Sequence, residues 1–369
     1  MVQPILRRAD TSKLRNGVKI SCFLLLLMVP VWATATKRHK VTPEAPPPDL
    51  LLEGGRRLSF ERTFNSERDT RGKASIWGKL LNGVAGEPDY KEMVRPYGVT
   101  VDSRGRVIVT DPGLGGIHIF DAAQHKYKYL ERTEKTRDNM LEPQCVAVDA
   151  KDNLYVTDSR SGKIFVFDAS GKYQGALGSL KGGEGYFKRP TGIAIDDETQ
   201  QIYVTDTLRD RVYVLDKSGQ VLRTIGKHGS GDGEFNFPTE LRFRNGLLAV
   251  VDAMNFRVQI FDAHDQLVGK IGRVSDAMGQ VYRPKGIAID SEDHIYLVEG
   301  LWGIVQVFNR EGQLLYTFGQ RGTRLGDFQL PAGLFIDKND AVYVVDSYNR
   351  RVQVFQYHGL RAKVEGAKP

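Results

Sequence analysis

The chain is poor in the residues that assemble most compact reactive sites. Its 369 residues include two cysteines, Cys22 and Cys145, and seven histidines. Cys22 falls in an N-terminal leader, so the body behind it holds Cys145 alone and forms no internal disulfide. His39, His118, His125, His228, His264, His294 and His358 are scattered, with no pair at the helical or hairpin spacing of zinc ligands. Nucleophile-elbow and zinc-protease motifs are missing. A spanning helix needs roughly 20 apolar residues. The apolar run 20–32 has 13 residues and is broken by Ser21 and Pro30.

An excess of one charge is also missing from the body. The net charge of +7 comes from residues 1–35, with five Lys/Arg against one Asp, and from three more bases in 36–40. From residue 41 onward 44 bases balance 44 acids. A nucleic-acid binder would show a basic domain, so no nucleic-acid partner is expected. Arg7, Arg8, Lys13, Arg15 and Lys19 precede the apolar run, and Ala33-Thr34-Ala35 follows it. Basic, apolar, then small-x-small is the pattern of an export signal. Residues 1–35 are expected to be a signal peptide or a short N-terminal anchor, and the chain to be exported, periplasmic or secreted. Membrane contact would come only through an uncleaved leader. Residues 36–56 form a basic, Pro-rich linker.

What is present is glycine, 39 residues of it, and repetition. Six segments align on a proline: Arg95-Pro96-Tyr97-Gly98, Glu142-Pro143-Gln144-Cys145, Arg189-Pro190-Thr191-Gly192, Phe237-Pro238-Thr239-Glu240, Arg283-Pro284-Lys285-Gly286 and Leu330-Pro331-Ala332-Gly333. The prolines are spaced 47, 47, 48, 46 and 47. An acid follows each by 14 to 16 positions: Asp111, Asp158, Asp206, Asp252, Glu299 and Asp346. Within a unit, Gly192-Ile193-Ala194-Ile195-Asp196 alternates as a half-buried strand does, and Ile202-Tyr203-Val204-Thr205-Asp206 is β-branched and aromatic. Two more runs follow, Arg211-Val212-Tyr213-Val214-Leu215-Asp216 and Gln220-Val221-Leu222-Arg223-Thr224-Ile225-Gly226. Four antiparallel strands in about 45 residues make a propeller blade.

Pro-x-Gly-Ile-Ala-Ile-Asp, then Ile-Tyr-Val-x-Asp, then Arg-Val-x-Val-Phe resembles the NHL repeat, over about residues 94–356 and six times. The resemblance implies an all-β, six-bladed propeller over 94–358, one ring per chain and monomeric. A ring needs its first and last blades joined, or an edge stays open. Residues 57–65 alternate, and are expected to supply the outer strand of blade six. Within 57–93 a short helix is expected over 74–84; 359–369 is a polar tail.

Six acids in a column invite a metal reading, but residues five positions later are Gly116, Lys163, Arg211, Arg257, Ile304 and Arg351. Four of six are basic, so the acids are read as structural, pairing across the turn between strands two and three. The Gly-rich stretches 178–187, 226–235, 272–282 and 319–328 recur once per blade and read as turns, not phosphate loops.

The residue before each proline carries more information. Arginine occupies it in units one, three and five, with spacings of 94 and 94. On a ring Arg95, Arg189 and Arg283 would stand with approximate three-fold symmetry at the channel mouth, accepting an anionic group or an acidic partner loop. Tyr97, Gln144, Thr191, Thr239, Lys285 and Ala332 follow the prolines as channel-lining candidates. Glu240 and Cys145 replace the usual glycine in units four and two, and departures from a strong repeat are where function hides. The candidate binding residues are Arg95, Arg189, Arg283, Tyr97, Lys285 and Glu240. With no catalytic set in view, the expected function is a binding or scaffold module at the cell envelope. Its partner would be a protein, peptide or glycan, and no cofactor is needed. The resemblance also implies an alternative. Related six-bladed propellers include metal-dependent lactonases and peptidyl-hydroxyglycine lyases, which would place zinc or calcium in the channel and need Glu240 and Glu299 to converge with a histidine such as His294.

Overall fold

A computed structural model describes residues 44–71, 89–131, 140–272 and 279–359. The leader 1–35, the expected helix 74–84 and the tail from 360 lie outside the described residues. Six antiparallel sheets follow one another in chain order, and no α-helix occurs among the described residues. Blade one runs Val99–Val101, Val107–Asp111, Gly116–Asp121 and Lys126–Leu130. Blades two to five cover 143–177, 190–225, 238–271 and 284–318. Blade six runs Leu334–Ile336, Ala341–Asp346 and Arg351–His358.

Burial follows from the radial order of the strands. The second strand is sandwiched on both faces by neighbouring blades, so Val107–Asp111 and Leu154–Asp158 are buried at every residue. The outermost strand has water on one side, and Val221–Ile225 alternates accordingly. Six apolar clusters fill the six gaps between blades. Tyr203, Val214, Leu241 and Val250 pack between blades three and four, and Val99, Phe120, Val345 and Val354 between blades one and six. The latter cluster closes the ring.

Closure is completed by strand Arg57–Phe64, which pairs antiparallel with Arg351–His358 from Arg57↔His358 to Phe64↔Val352. A bulge between Phe60 and Arg62 switches its alternation, so buried Leu58 and Phe64 pack on the two different neighbouring interblade clusters. Leu50–Leu51 pairs in turn with Arg57 and Leu58, adding a fifth strand to this blade from within the expected linker. Glu44 accepts the Leu325 N–H at 3.1 Å, so the linker already touches the turn between blades five and six before the strand begins.

The Gly-rich stretches 178–187, 226–235 and 319–328 are turns between blades. Gly226 has φ +82°, and a Cβ there would lie 2.3 Å from the Phe235 ring. Glycine is therefore required both by the left-handed backbone and by the fully buried phenylalanine that plugs the turn.

Candidate functional site at the channel mouth

Each acid of the column ends the second strand of its blade, and its carboxylate accepts backbone N–H groups from the segment entering the same blade. Asp111 takes Val94 N and Arg95 N at 2.7 and 3.0 Å, Asp206 takes Lys188 N and Arg189 N at 2.9 Å, and Glu299 takes Tyr282 N and Arg283 N at 3.1 and 2.9 Å. Asp158 does the same for Leu141 and Glu142, Asp252 for Asn236 and Asp346 for Gln329. These buried carboxylates hold the pre-proline residues in place on one face of the ring.

Their side-chain partners are more varied than a base five residues on. Arg257 and Arg351 do pair with Asp252 and Asp346, at 2.8 and 2.7 Å. Asp206 instead meets Arg209 at 3.4 Å, while Arg211 donates to the Arg209 carbonyl. His118 takes the place of a base beside Asp111, its Nε2 3.4 Å away and its Nδ1 2.7 Å from the Tyr127 hydroxyl. Burial raises the Asp111 carboxyl, but the bonds from His118, Val94 and Arg95 hold it below the usual aspartate value. Glu299, with only two N–H donors against its burial, is raised.

Five of the six pre-proline residues, Arg95, Glu142, Arg189, Arg283 and Leu330, line a cavity of about 560 Å³. Arg95, Arg189, Arg283 and Lys285 line it, with Glu142 as the carboxylate among them. Tyr97, Gln144, Leu301, Leu330 and Ala332 complete much of the wall. The three arginines are exposed and form no ion pair with any described residue. Glu142 is engaged by Ser159 Oγ at 2.9 Å. Lys285 reaches water but stands in a concave mouth. Lost hydration lowers its ammonium below 10.5, and repulsion from Arg283 and Arg189 lowers it further.

The rim is not three-fold symmetric in chemistry. Between the arginines of blades one, three and five stand Glu142, Phe237 and Leu330. Phe237 and Leu330 are 41% and 53% exposed and have φ of +55° and +46°. A left-handed residue before proline is doubly disfavoured, at roughly 1–3 kcal/mol. The fold therefore holds two large apolar side chains in strained backbone, of which Leu330 lines the mouth. Sequence reasoning passed over both. The available signal was an apolar residue at the position where other units carry a charge.

Glu240 lies deeper. Positions 98, 145, 192, 240, 286 and 333 form the waist of the channel, and four of them are glycine. A Cβ on Gly192 would fall 2.9 Å from Glu240 Cα, so the first strands here are too close for side chains. Cys145 and Glu240 alone carry functional groups, and Cys145 Sγ donates to Glu240 Oε2 at 2.8 Å. Arg242 Nη1 holds Glu240 Oε1 at 2.8 Å, and its Nη2 reaches the Leu334 carbonyl of blade six at 2.8 Å. Blades two, four and six are thus linked across the channel. Below this link a second cavity, of about 320 Å³, is lined by Val101, Val148, Ile195 and Arg242. The structure gathers Arg95, Arg189, Arg283, Tyr97 and Lys285 around one cavity; Glu240 sits beneath it.

No three His, Cys, Asp or Glu among the described residues come together as a metal site. His294 bonds Asp290 at 2.9 Å and Glu299 caps the loop at Arg283, so neither joins Glu240. This donor set does not fit a channel zinc or calcium.

Comparison with known proteins agrees with the ring. A family profile described as a 6-bladed beta-propeller matches residues 134–207 and 197–275, and the NHL repeat matches 328–355. The chain is an NHL-repeat six-bladed β-propeller. No curated protein matches the sequence. Among solved structures, this NHL propeller is similar to a streptogramin B lyase, at 15% identity and TM-score 0.53 over 72% of this chain and 94% of the other. It is also similar to virginiamycin B lyase from Staphylococcus aureus, at 14% and 0.54 over 81% and 99%. An auxiliary nutrient binding protein from Bacteroides thetaiotaomicron matches at 10% and 0.56 over 73% and 71%. Identities this low show a shared fold, and a fold hosts many functions.

Proposed function

We propose that this NHL propeller is an exported binding module whose channel mouth accepts an anionic group of a protein, peptide or glycan partner. One observation carries the reading: four cations, Arg95, Arg189, Arg283 and Lys285, face one cavity of about 560 Å³ whose lining holds a single carboxylate, and that carboxylate is already engaged by Ser159. Like charges so arranged repel one another unless an anion joins them. Arginine forks suit planar carboxylates and phosphates. Export rests on the leader pattern of residues 1–35.

The test is isothermal titration of the purified protein with citrate and with sulfate, against the triple variant Arg95→Gln/Arg189→Gln/Arg283→Gln. Saturable binding lost in the variant is expected. Equal behaviour of the two proteins would end the proposal. All three arginines are exposed, so the variant should unfold at the wild-type temperature.

A further inference from the structure

The mouth cavity does not end at the rim. A groove of about 690 Å³ leaves it between blades six and one, sharing Arg95, Pro112, Leu330 and Ser347 with the mouth. Along the groove lie Val94, Tyr348 and Arg350. Val94 is 43%, Leu330 53% and Tyr348 64% exposed. Arg350 has no ion-pair partner among the described residues. It sits at φ +56°, a second strained position on this path after Leu330.

We propose that mouth and groove form one site for an extended acidic polypeptide segment, with a carboxylate in the mouth and apolar side chains along Leu330, Val94 and Tyr348. This rests on the anion-binding reading above and deepens it by naming the partner class. Charge complementarity requires an anion at the mouth and allows a second one at Arg350, beside Arg95. The surfaces between those cations are aliphatic and phenolic. A uniformly charged chain would leave them uncovered, and a neutral glycan would leave the cations unmatched. A nucleic-acid strand would want a continuous basic track and repeated aromatic platforms. Here one exposed tyrosine stands in the groove, and the body of the chain is charge-neutral. An extended polypeptide can carry acidic and apolar side chains side by side along one strand, and mouth and groove together present both cations and apolar side chains to it.

The experiment uses three fluorescent probes: an acetylated hexapeptide of alternating glutamate and leucine, hexaglutamate, and hexathymidylate. Binding is measured by anisotropy to the wild-type protein, to the triple arginine variant, and to Leu330→Gly/Tyr348→Ser. Glycine suits the left-handed backbone at 330, and Tyr348→Ser alone serves as a second groove variant. The alternating peptide should bind about tenfold or more tightly than hexaglutamate. The groove variants should erase that difference, and the arginine variant should abolish both. If hexaglutamate binds as well as the alternating peptide and the groove variants change neither, the polypeptide groove is wrong while the anion-binding mouth stands. If hexathymidylate binds best, the occupant is a nucleic acid and the proposal falls. If no probe binds the wild-type protein, the anion-binding reading falls with it.

Discussion

The Cys145 thiol, in the first strand of blade two, donates to Glu240 in the first strand of blade four across the channel waist, 2.8 Å away. Gly192 of blade three lies between them and leaves the space. The thiol, buried and next to a carboxylate, is raised well above its ordinary range and stays protonated. It acts as a hydrogen-bond donor to Glu240. Arg242 holds the other oxygen of Glu240, so two side chains that break the repeat are compensated by a third. Removing the carboxylate strands a guanidinium that is 11% exposed. Glu240→Ala should cost about 3–5 kcal/mol in urea unfolding, as for one partner of a buried pair. Glu240→Gln should cost less because it keeps an acceptor.

Glu240 also makes stability depend on pH. Burial raises its carboxyl above 4.5, with Arg242, Cys145 and the Leu241 N–H offsetting only part. The folded state then binds the proton more tightly than the unfolded chain, so this residue's contribution is fullest below the ordinary glutamate value. It declines as pH rises from there through the raised value. Urea midpoints of wild type and Glu240→Gln should therefore diverge with rising pH, wild type losing ground. Parallel curves would show that Glu240 titrates as an ordinary glutamate.

Asp346 and Glu299 occupy the same place in adjacent blades but not the same network. Asp346 takes Arg351, Asn349 and Gln353 as well as the Gln329 N–H. Glu299 has two backbone donors, with Ile304 opposite in place of a base. Asp346→Asn should therefore lower the urea midpoint more than Glu299→Gln. The reverse order would mean that the backbone latch outweighs the buried ion pair.

Strand Arg57–Phe64 closes the ring, and its loss should expose the full edge of Arg351–His358. Phe64 is 3% exposed and stands 5.3 Å from Phe120 of blade one. Phe64→Ala should cost about 3–5 kcal/mol. A chain beginning after residue 65 should associate through its open edge, seen as oligomers by light scattering. A stable monomer of that length would refute the closing role.

Lys285 gives anion binding a distinctive alkaline limb. Its ammonium is lowered from 10.5, so it loses its charge earlier than a free lysine as pH rises. Citrate affinity should fall over that earlier range, and Lys285→Met should flatten the fall while lowering affinity throughout. An unchanged pH profile in Lys285→Met would place the anion away from Lys285.

Local pattern was enough for the ring. The proline at intervals of 46 to 48, the alternation after it and the acid 14 to 16 residues on are written in each unit, and blades one to five are each built from contacts within about 45 residues. The closing strand was legible because an open ring has a missing partner and residues 57–65 alternate. The pairing of Leu50–Leu51 was not, because two residues carry no period. The three arginines were legible as a spacing, and a ring turns spacing into position. What they face was decided by the tertiary structure. The backbone bonds to Asp111, Asp206 and Glu299 aim their segments at one mouth. The left-handed Leu330 places apolar surface beside them, and the packing of blade six on blade one opens the groove past Tyr348. Arg242 illustrates the division. In sequence it is one arginine in a strand. Glu240 is its neighbour two residues back in that strand, but only the meeting of blades four and six across the channel gives it the Leu334 carbonyl, 92 residues further on. Contacts between distant blades depend on how the whole ring closes, and no local run of residues encodes them.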